Sequence, residues 1–416
     1  MKVLHFLATH LPLQSGYSMR SSAIISFQQK MGLEPVVFTL PDFNESQGFQ
    51  FKLRETCDGV VVYNWVSPKL HGFEAFMANV PFFRNIYDSR RKIRFYLGLS
   101  AEAAPDIVHA HSPATCAIFA DLVARKRAVP FVYEIRGLWE ETAVAEGKFE
   151  RSSVEFQRRS GLETVAAKAC HALVVISEGL KKEFISRGVP EEKIFVVPNG
   201  VNPREFSAAR MDEDFKIKLG LQGRPVFGYI GAVRHLEGLM LAVEAMPEIL
   251  KSIPDAALLI VGGGNERSSL KAAAERLGLL DKSVFIKDEV PHEHIPAFYS
   301  AIDLFILPRM DQRVCHFVTP LKPLEAMAMG KAVLASDTGG LKEQIEDGKT
   351  GELFHAEDLA DFTAKTVSLL QDKGRRDRYG AAGRAWVEKE RDWAQITQRY
   401  AEVYSYAMKK YKAMSR

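Results

Sequence analysis

The sequence predicts an α/β protein of two Rossmann-like, doubly wound domains facing each other across a cleft, and three observations carry that prediction. Short apolar runs recur without polar alternation, which suits strands buried on both faces of a parallel sheet. Helix-like segments such as "LMLAVEAMPEILKSI" and "SSLKAAAERLGL" separate most of them, and alternating strands and helices build doubly wound sheets. A polar, Pro-containing stretch, residues 199–225, interrupts this alternation once. In a chain of 416 residues that leaves two domains of about 200 residues each.

In chain order the runs of the first half are "KVLHFLA", "PVVFTL", "GVVVYNW", "DIVHAHS", "FVYEIRG", "ALVVISE" and "IFVVPNG". Those of the second half are "VFGYIGA", "ALLIVGGG", "SVFIKD", "LFILPR", "KAVLASD" and "TGELF". The opening "MKVLHFLATHLPLQSG" has one lysine and a short apolar run broken by His and Pro, so it reads as a first strand rather than a leader peptide. No run reaches the roughly 18 apolar residues of a membrane span. From Trp393 onward the chain reads as helical and able to pack on either domain; we assign it to the first. The expected domains are therefore 1–200 with 393–416, and 205–392.

A composition of 47% hydrophobic and 26% charged residues is that of a soluble globular protein, and a net charge of +3 does not suggest a nucleic-acid binder. Cys57, Cys116, Cys170 and Cys315 form no C-x-x-C pair, so neither a zinc site nor a disulfide framework is expected. A reducing, cytoplasmic location follows as an expectation. "DED" at 212–214 has Asp-x-Asp spacing but lies in the linker, as a solvated acidic patch does. "GGGNE" at 262–266 does not meet G-x-G-x-x-G, because position 267 is Arg; a dinucleotide-dependent dehydrogenase is therefore disfavoured.

Residues 319–337, "TPLKPLEAMAMGKAVLASD", raise the sharpest question. Pro323 suits the first helical position and Gly330 the helix end, leaving Glu325 in the first turn of a short helix. Glu325 either complements the helix dipole or reaches a ligand. In order along the chain, "VVISEGLKKEFISRGVPEEKIFVVPNGVNPREF", "VGGGNERSSLKAAAERLGL", "VPHEHIPAFYSAIDLFILP" and "PLEAMAMGKAVLASDTGGLKEQIEDGKTGELF" resemble glycosyltransferase family 4. These are retaining enzymes of the GT-B fold that use nucleotide-sugar donors. The loop "TPLKPLEAMA", with "LPR" before it, is similar to a bacterial subgroup linked to surface and exopolysaccharide assembly.

The resemblance implies that Glu325, the second Glu of a Glu-x7-Glu motif, accepts hydrogen bonds from the donor's ribose hydroxyls. It also implies that the helix N-terminus and the backbone at Thr319, Leu321 and Lys322 meet the diphosphate. Gly16 closes the loop after the first strand, where such enzymes bring a glycine close to the donor diphosphate. No metal ion or cofactor is implied; the nucleotide-diphosphate sugar is a substrate.

Three stretches depart from the pattern. Phe317 stands where the first Glu of the motif belongs. "GAVRHLEG" places Ala232 and Glu237 where the family carries its phosphate-binding Arg and Lys, so Arg234, Arg309 and Lys322 become the substitute cations. "EIRGLW" puts Arg136, beside Glu134, where the family's His faces the reacting sugar; Arg136 is then expected to face the sugar or acceptor. His111, ending the previous strand, is a secondary candidate.

Residues 81–99 mix aromatic and basic side chains, which reads equally as a patch for an anionic membrane surface or as a helix with an aromatic core face. The function expected is sugar transfer from a UDP- or GDP-sugar to a glycan or lipid-linked saccharide, with retention. A nucleotide-sugar epimerase of the same fold, or a non-catalytic sugar-nucleotide-binding relative, stays open.

Overall fold

The computed structural model describes residues 1–9, 15–40, 52–65, 81–207 and 214–414, with the backbone alone at 81–88. The first sheet contains β1 (Lys2–Leu7), β2 (Glu34–Thr39), β3 (Arg54–Cys57), β4 (Val60–Tyr63), β5 (Ile107–His111), β6 (Phe131–Ile135), β7 (Ala172–Val175) and β8 (Ile194–Val196). Its order is β3-β4-β2-β1-β5-β6-β7-β8. The second sheet contains β9 (Val226–Ile230), β10 (Ala257–Val261), β11 (Val284–Lys287), β12 (Leu304–Leu307), β13 (Ala332–Ser336) and β14 (Glu352–Phe354), in the order β11-β10-β9-β12-β13-β14. All pairs are parallel except β3–β4. The fold is GT-B, two α/β parallel-sheet domains.

Every apolar run identified in the sequence holds a strand. The interior strands β5, β6, β7, β9, β10, β12 and β13 are buried along their whole length, which is why their sequences lack alternation. Only β3, "RETC", was not expected, because it has no apolar run. It forms as the outer arm of a hairpin whose two-residue turn is Asp58-Gly59, with φ of 50° and 79°. Asp-Gly with both residues at positive φ matches the right-handed twist of the flanking strands.

The C-terminal helix Arg399–Met414 lays Tyr400, Val403, Tyr404 and Ala407 against Val3, Ile107, Val132, Ala172 and Val174 of the first sheet. In the helix Pro81–Ala103, Tyr96 is fully buried, packs on Phe6 and Phe38, and donates to the Thr39 carbonyl at 2.8 Å. Its described aromatic face is therefore core, while Phe82, Phe83, Arg84 and Tyr87 lie outside the described side chains. Among the described residues no helix is long and apolar enough to cross a membrane.

In each sheet the strand order reverses at one crevice, between β1 and β5 and between β9 and β12. Ligands of open parallel sheets sit beyond the strands' carboxyl ends at such points.

Candidate active site

The second sheet's crevice is built around a buried carboxylate. Glu237 is fully buried and lies 3.2 Å from Arg309 Nε, 2.9 Å from Lys322 Nζ and 3.7 Å from Arg234 Nη2. Burial alone would raise its pKa, but Arg309 and then Lys322 outweigh that and hold it well below the ordinary carboxylate range. Three cations against one carboxylate leave two positive charges without a partner in the cluster. Lys322 registers this excess: burial and Arg309 lower its pKa despite Glu237. Such a site favours an anion of two charges or more.

The cations differ in access. Arg309 is 5% exposed; its fork closes on Glu237, and Nη1 donates to the Val318 carbonyl at 3.0 Å. It therefore organises the loop 309–318 rather than offering itself to a ligand, unlike the role of substitute phosphate-binding cation expected for it from the sequence. Arg234 is 45% exposed and lines a cavity of about 250 Å³ with His235, Leu239, Glu266, Pro308 and Met310. Lys322 passes beneath Gly231, whose φ of 140° is reserved for glycine and whose absent Cβ would stand 2.3 Å from Lys322 Cε. Gly231→Ala is expected to drive Lys322 off Glu237 and weaken nucleotide binding. Gly330→Ala supplies the control, since Gly330 has φ of 70° and nothing near its missing Cβ. Calorimetry should show weakened UDP or GDP binding only for Gly231→Ala; equal binding by the two variants would refute the role given to Lys322.

Glu325 stands in the first turn of the helix Lys322–Ala328, beyond the carboxyl end of β12. Tyr299, fully buried, donates its one hydroxyl proton to Glu325 Oε2 at 3.1 Å, with the Lys322 carbonyl 3.4 Å away, which fixes the Glu325 side chain. Glu325 Oε1 carries no hydrogen bond among the described residues. Enclosure raises the pKa of Glu325, with His292, Tyr299 and Lys322 opposing the shift. A carboxylate oriented by one neutral donor keeps accepting capacity for hydroxyls.

The loop before this helix binds the first domain. Thr319 is buried, its carbonyl accepts from Asn199 Nδ2 at 2.5 Å, and its hydroxyl donates to the Ile176 carbonyl at 3.4 Å. Leu321 Cδ1 lies 3.8 Å from where a Cβ on Gly16 would be, so the start of the helix Gly16–Lys30 and the loop before Lys322 meet across the cleft. Phe317 is a wedge rather than a defect: with Val318 it packs on the first domain's core, its carbonyl accepts from Ser177 Oγ at 2.5 Å, and Arg313 stacks on its ring. A charged Glu there would enter an apolar interface.

In the first domain Arg136 is placed differently from the sequence expectation. Nε donates to Glu134 at 2.7 Å, Nη1 to the Tyr17 carbonyl at 2.8 Å and Ser21 Oγ at 2.7 Å, and Nη2 to His111 Nδ1 at 2.6 Å. Four of its five N–H groups are engaged by the domain itself, so Arg136 braces the crevice rather than facing a sugar. Glu134 and His111 are its buried partners and do not face the cleft. Arg20 joins this group to the other domain: it donates to Glu134 at 3.0 Å and to Asn199 Oδ1 at 3.0 Å, and Asn199 holds Thr319. Sequence reasoning missed Arg20, Asn199 and Tyr299, each an ordinary residue whose partner is distant in the chain.

Two family models match consecutive parts of the chain: "Glycosyltransferase Family 4" over residues 23–205 and "Glycosyl transferases group 1" over residues 211–386. This chain is a GT-B glycosyltransferase. The glycosyltransferase is 32% identical over 237 residues to the GDP-mannose-dependent alpha-(1-6)-phosphatidylinositol monomannoside mannosyltransferase of Mycolicibacterium smegmatis, covering 55% of this chain and 61% of that one. It is 28% identical over 321 residues to alpha-maltose-1-phosphate synthase of the same organism, covering 73% and 80% of the two chains. The fold matches that of Anabaena HepE in complex with UDP, with a TM-score of 0.70, 18% identity and coverage of 97% and 100%. The loop 319–322 and its subgroup are not distinguished by these matches.

Proposed function

We propose that the glycosyltransferase moves a sugar from a UDP- or GDP-sugar to a glycan or lipid-linked saccharide, with retention at the anomeric carbon, in bacterial polysaccharide synthesis. The observation that carries this reading is Glu325 beside a cluster with two unpartnered positive charges, at the reversal point of the second sheet. Glu325 holds the ribose hydroxyls, and Lys322 and Arg234 face the diphosphate. Glu237 and Arg309 set the positions of those cations. As the donor's glycosidic bond lengthens, negative charge grows on the departing phosphate oxygen, and the cluster's excess charge stabilises it. That oxygen takes the acceptor's proton on the same face, and the protein supplies orientation without a nucleophile of its own. The same reading takes the reaction to be metal-independent and cytoplasmic.

The relatives' names support a nucleotide sugar but not one base: the mycobacterial mannosyltransferase is GDP-mannose-dependent, whereas HepE was solved with UDP. Titration calorimetry with UDP and GDP on the parent and Glu325→Ala tests the reading. One nucleotide should bind, and the substitution should weaken it about ten-fold or more, the roughly 1.5–3 kcal/mol of charged hydrogen bonds. Equal binding by the two proteins would leave Glu325 a helix-end carboxylate. Product analysis with the nucleotide sugar then separates transfer from epimerisation.

A further inference from the structure

Beneath the first crevice lies a buried histidine trio that the proposed reaction does not use. His5 on β1 pairs in register with His109 on β5, and His111, two residues on, shares their face of the sheet. All three are at most 1% exposed, and one ring nitrogen of each falls within 4.8 Å of the others, a spacing that invites a metal ion. The hydrogen bonds assign them otherwise.

Arginine only donates, so the 2.6 Å contact from Arg136 Nη2 requires a lone pair on His111 Nδ1 and puts the proton on its Nε2. Glu134 Oε1, 3.4 Å from that same Nδ1, then makes neither a hydrogen bond nor an ion pair with it, because both atoms are acceptors. His111 Nε2 donates to His5 Nδ1 at 2.9 Å, so His5 carries its proton on Nε2 and donates to Gln28 Oε1 at 2.8 Å. Gln28 Nε2 donates to Tyr404 Oη at 2.7 Å, and Tyr404 O–H donates to His109 Nδ1 at 2.9 Å. His109 Nε2–H, without a hydrogen-bond partner, points to Glu134 Oε2 at 3.6 Å. Glu134 in turn accepts from Arg136. The path is a one-way circuit from the donor-only Arg136 to His109, completed only by the electrostatic approach of its Nε2–H to the acceptor-only Glu134. Every Nδ1 lone pair in it is occupied, and a metal dication would have to enter beside Arg20 and Arg136 with one carboxylate to balance them.

We propose that His5, His109 and His111, with Gln28 and Tyr404, are a tautomer-locked circuit of positioning residues that orients Arg136 rather than binding a metal. Arg136 in turn ties down the first turn of the helix Gly16–Lys30 through the Tyr17 carbonyl, Ser21 and the Tyr17 ring, 4.4 Å beneath its guanidinium. That turn opposes Leu321 of the donor loop, so the C-terminal helix, through Tyr404, sets one wall of the cleft. The link to catalysis rests on the donor-site reading; the circuit itself does not.

Long-range proton–nitrogen NMR on deuterated, 15N-histidine protein at neutral pH reads the tautomers directly. All three rings should be neutral with the proton on Nε2. In Gln28→Glu the new carboxylate only accepts, so Tyr404 O–H turns to it. His109 must then donate from Nδ1, while His5 and His111 keep their tautomers. Should that variant not fold, Tyr404→Phe removes the donor to His109. Loss of the single His109 tautomer, with a raised KM for the nucleotide sugar and an unchanged KM for the acceptor, is then expected. An Nδ1–H tautomer at any of the three in the parent, no tautomer response in either variant, or a tetrahedral d–d band on adding one equivalent of Co2+ would overturn the proposal. A tautomer response with unchanged nucleotide-sugar KM would confirm the circuit and refute its link to the cleft.

Discussion

Replacing Glu134 with glutamine is expected to remove about 3–5 kcal/mol of folding stability, the usual loss when one partner of a buried charge network is neutralised. Glu134 is fully buried and accepts from Arg20 Nε at 3.0 Å, from Arg136 Nε at 2.7 Å and from Tyr400. Burial pushes its pKa up, but Arg20 and then Arg136 outweigh that and hold it ionised. Glutamine keeps the shape but leaves two guanidiniums without a counter-charge, and its amide directs N–H groups toward donors. Urea unfolding of the parent and Glu134→Gln measures the difference, and a loss under about 1 kcal/mol would mean that the network relaxes around the missing charge.

Acid is expected to act at the same place. Burial lowers the pKa of His5 to about 4, of His111 to about 3, and of His109 well below its ordinary value, with Arg136 depressing all three further and Glu134 opposing. In the unfolded chain each titrates near 6.5. Below that pH the unfolded state takes up protons that the folded state refuses, so the stability these groups contribute is complete above about pH 6.5 and is lost as pH falls toward 4. Each group contributes about 1.4 kcal/mol per pH unit in that window. Glu163 works in the opposite direction: burial raises its carboxyl to about 7, so it favours the folded state as pH falls from 7 toward 4.5. Glu140 and Glu325, whose carboxyls burial also raises, act in the same sense as Glu163, so the histidines set the sign of a fall that the carboxyls reduce. Urea midpoints measured from pH 8 to 5 should fall steeply below 6.5. A flat profile would show that the trio is hydrated or charged in the folded protein.

Both predictions concern residues that the sequence displayed without explaining. "HAH" on a strand places two histidines on one face, and "KVLHFL" supplies a third on the neighbouring strand, yet only the register His5–His109 brings them together. Arg136 looked like a ligand because it stands where the resembled family's His faces the sugar; only its four internal hydrogen bonds reveal a brace. Glu237 looked like a lost cation, and it is the carboxylate around which Arg234, Arg309 and Lys322 gather. The Asp58-Gly59 turn was legible and overlooked, since Asp-Gly ahead of an apolar run is a strong hairpin mark.

By itself the sequence determined the two-sheet architecture, nearly every strand and the placing of Glu325 in the first turn of a short helix. These are local properties: apolar periodicity, Pro and Gly positions and run length all act within about ten residues. Only the tertiary structure decided the docking of the C-terminal helix on the first sheet, the wedge at Phe317, the grouping of cations around Glu237 and the direction of protons through the histidine trio. Each of these joins groups far apart in the chain. Their energies come from burial and from which partner a donor or acceptor meets, which the local sequence does not encode.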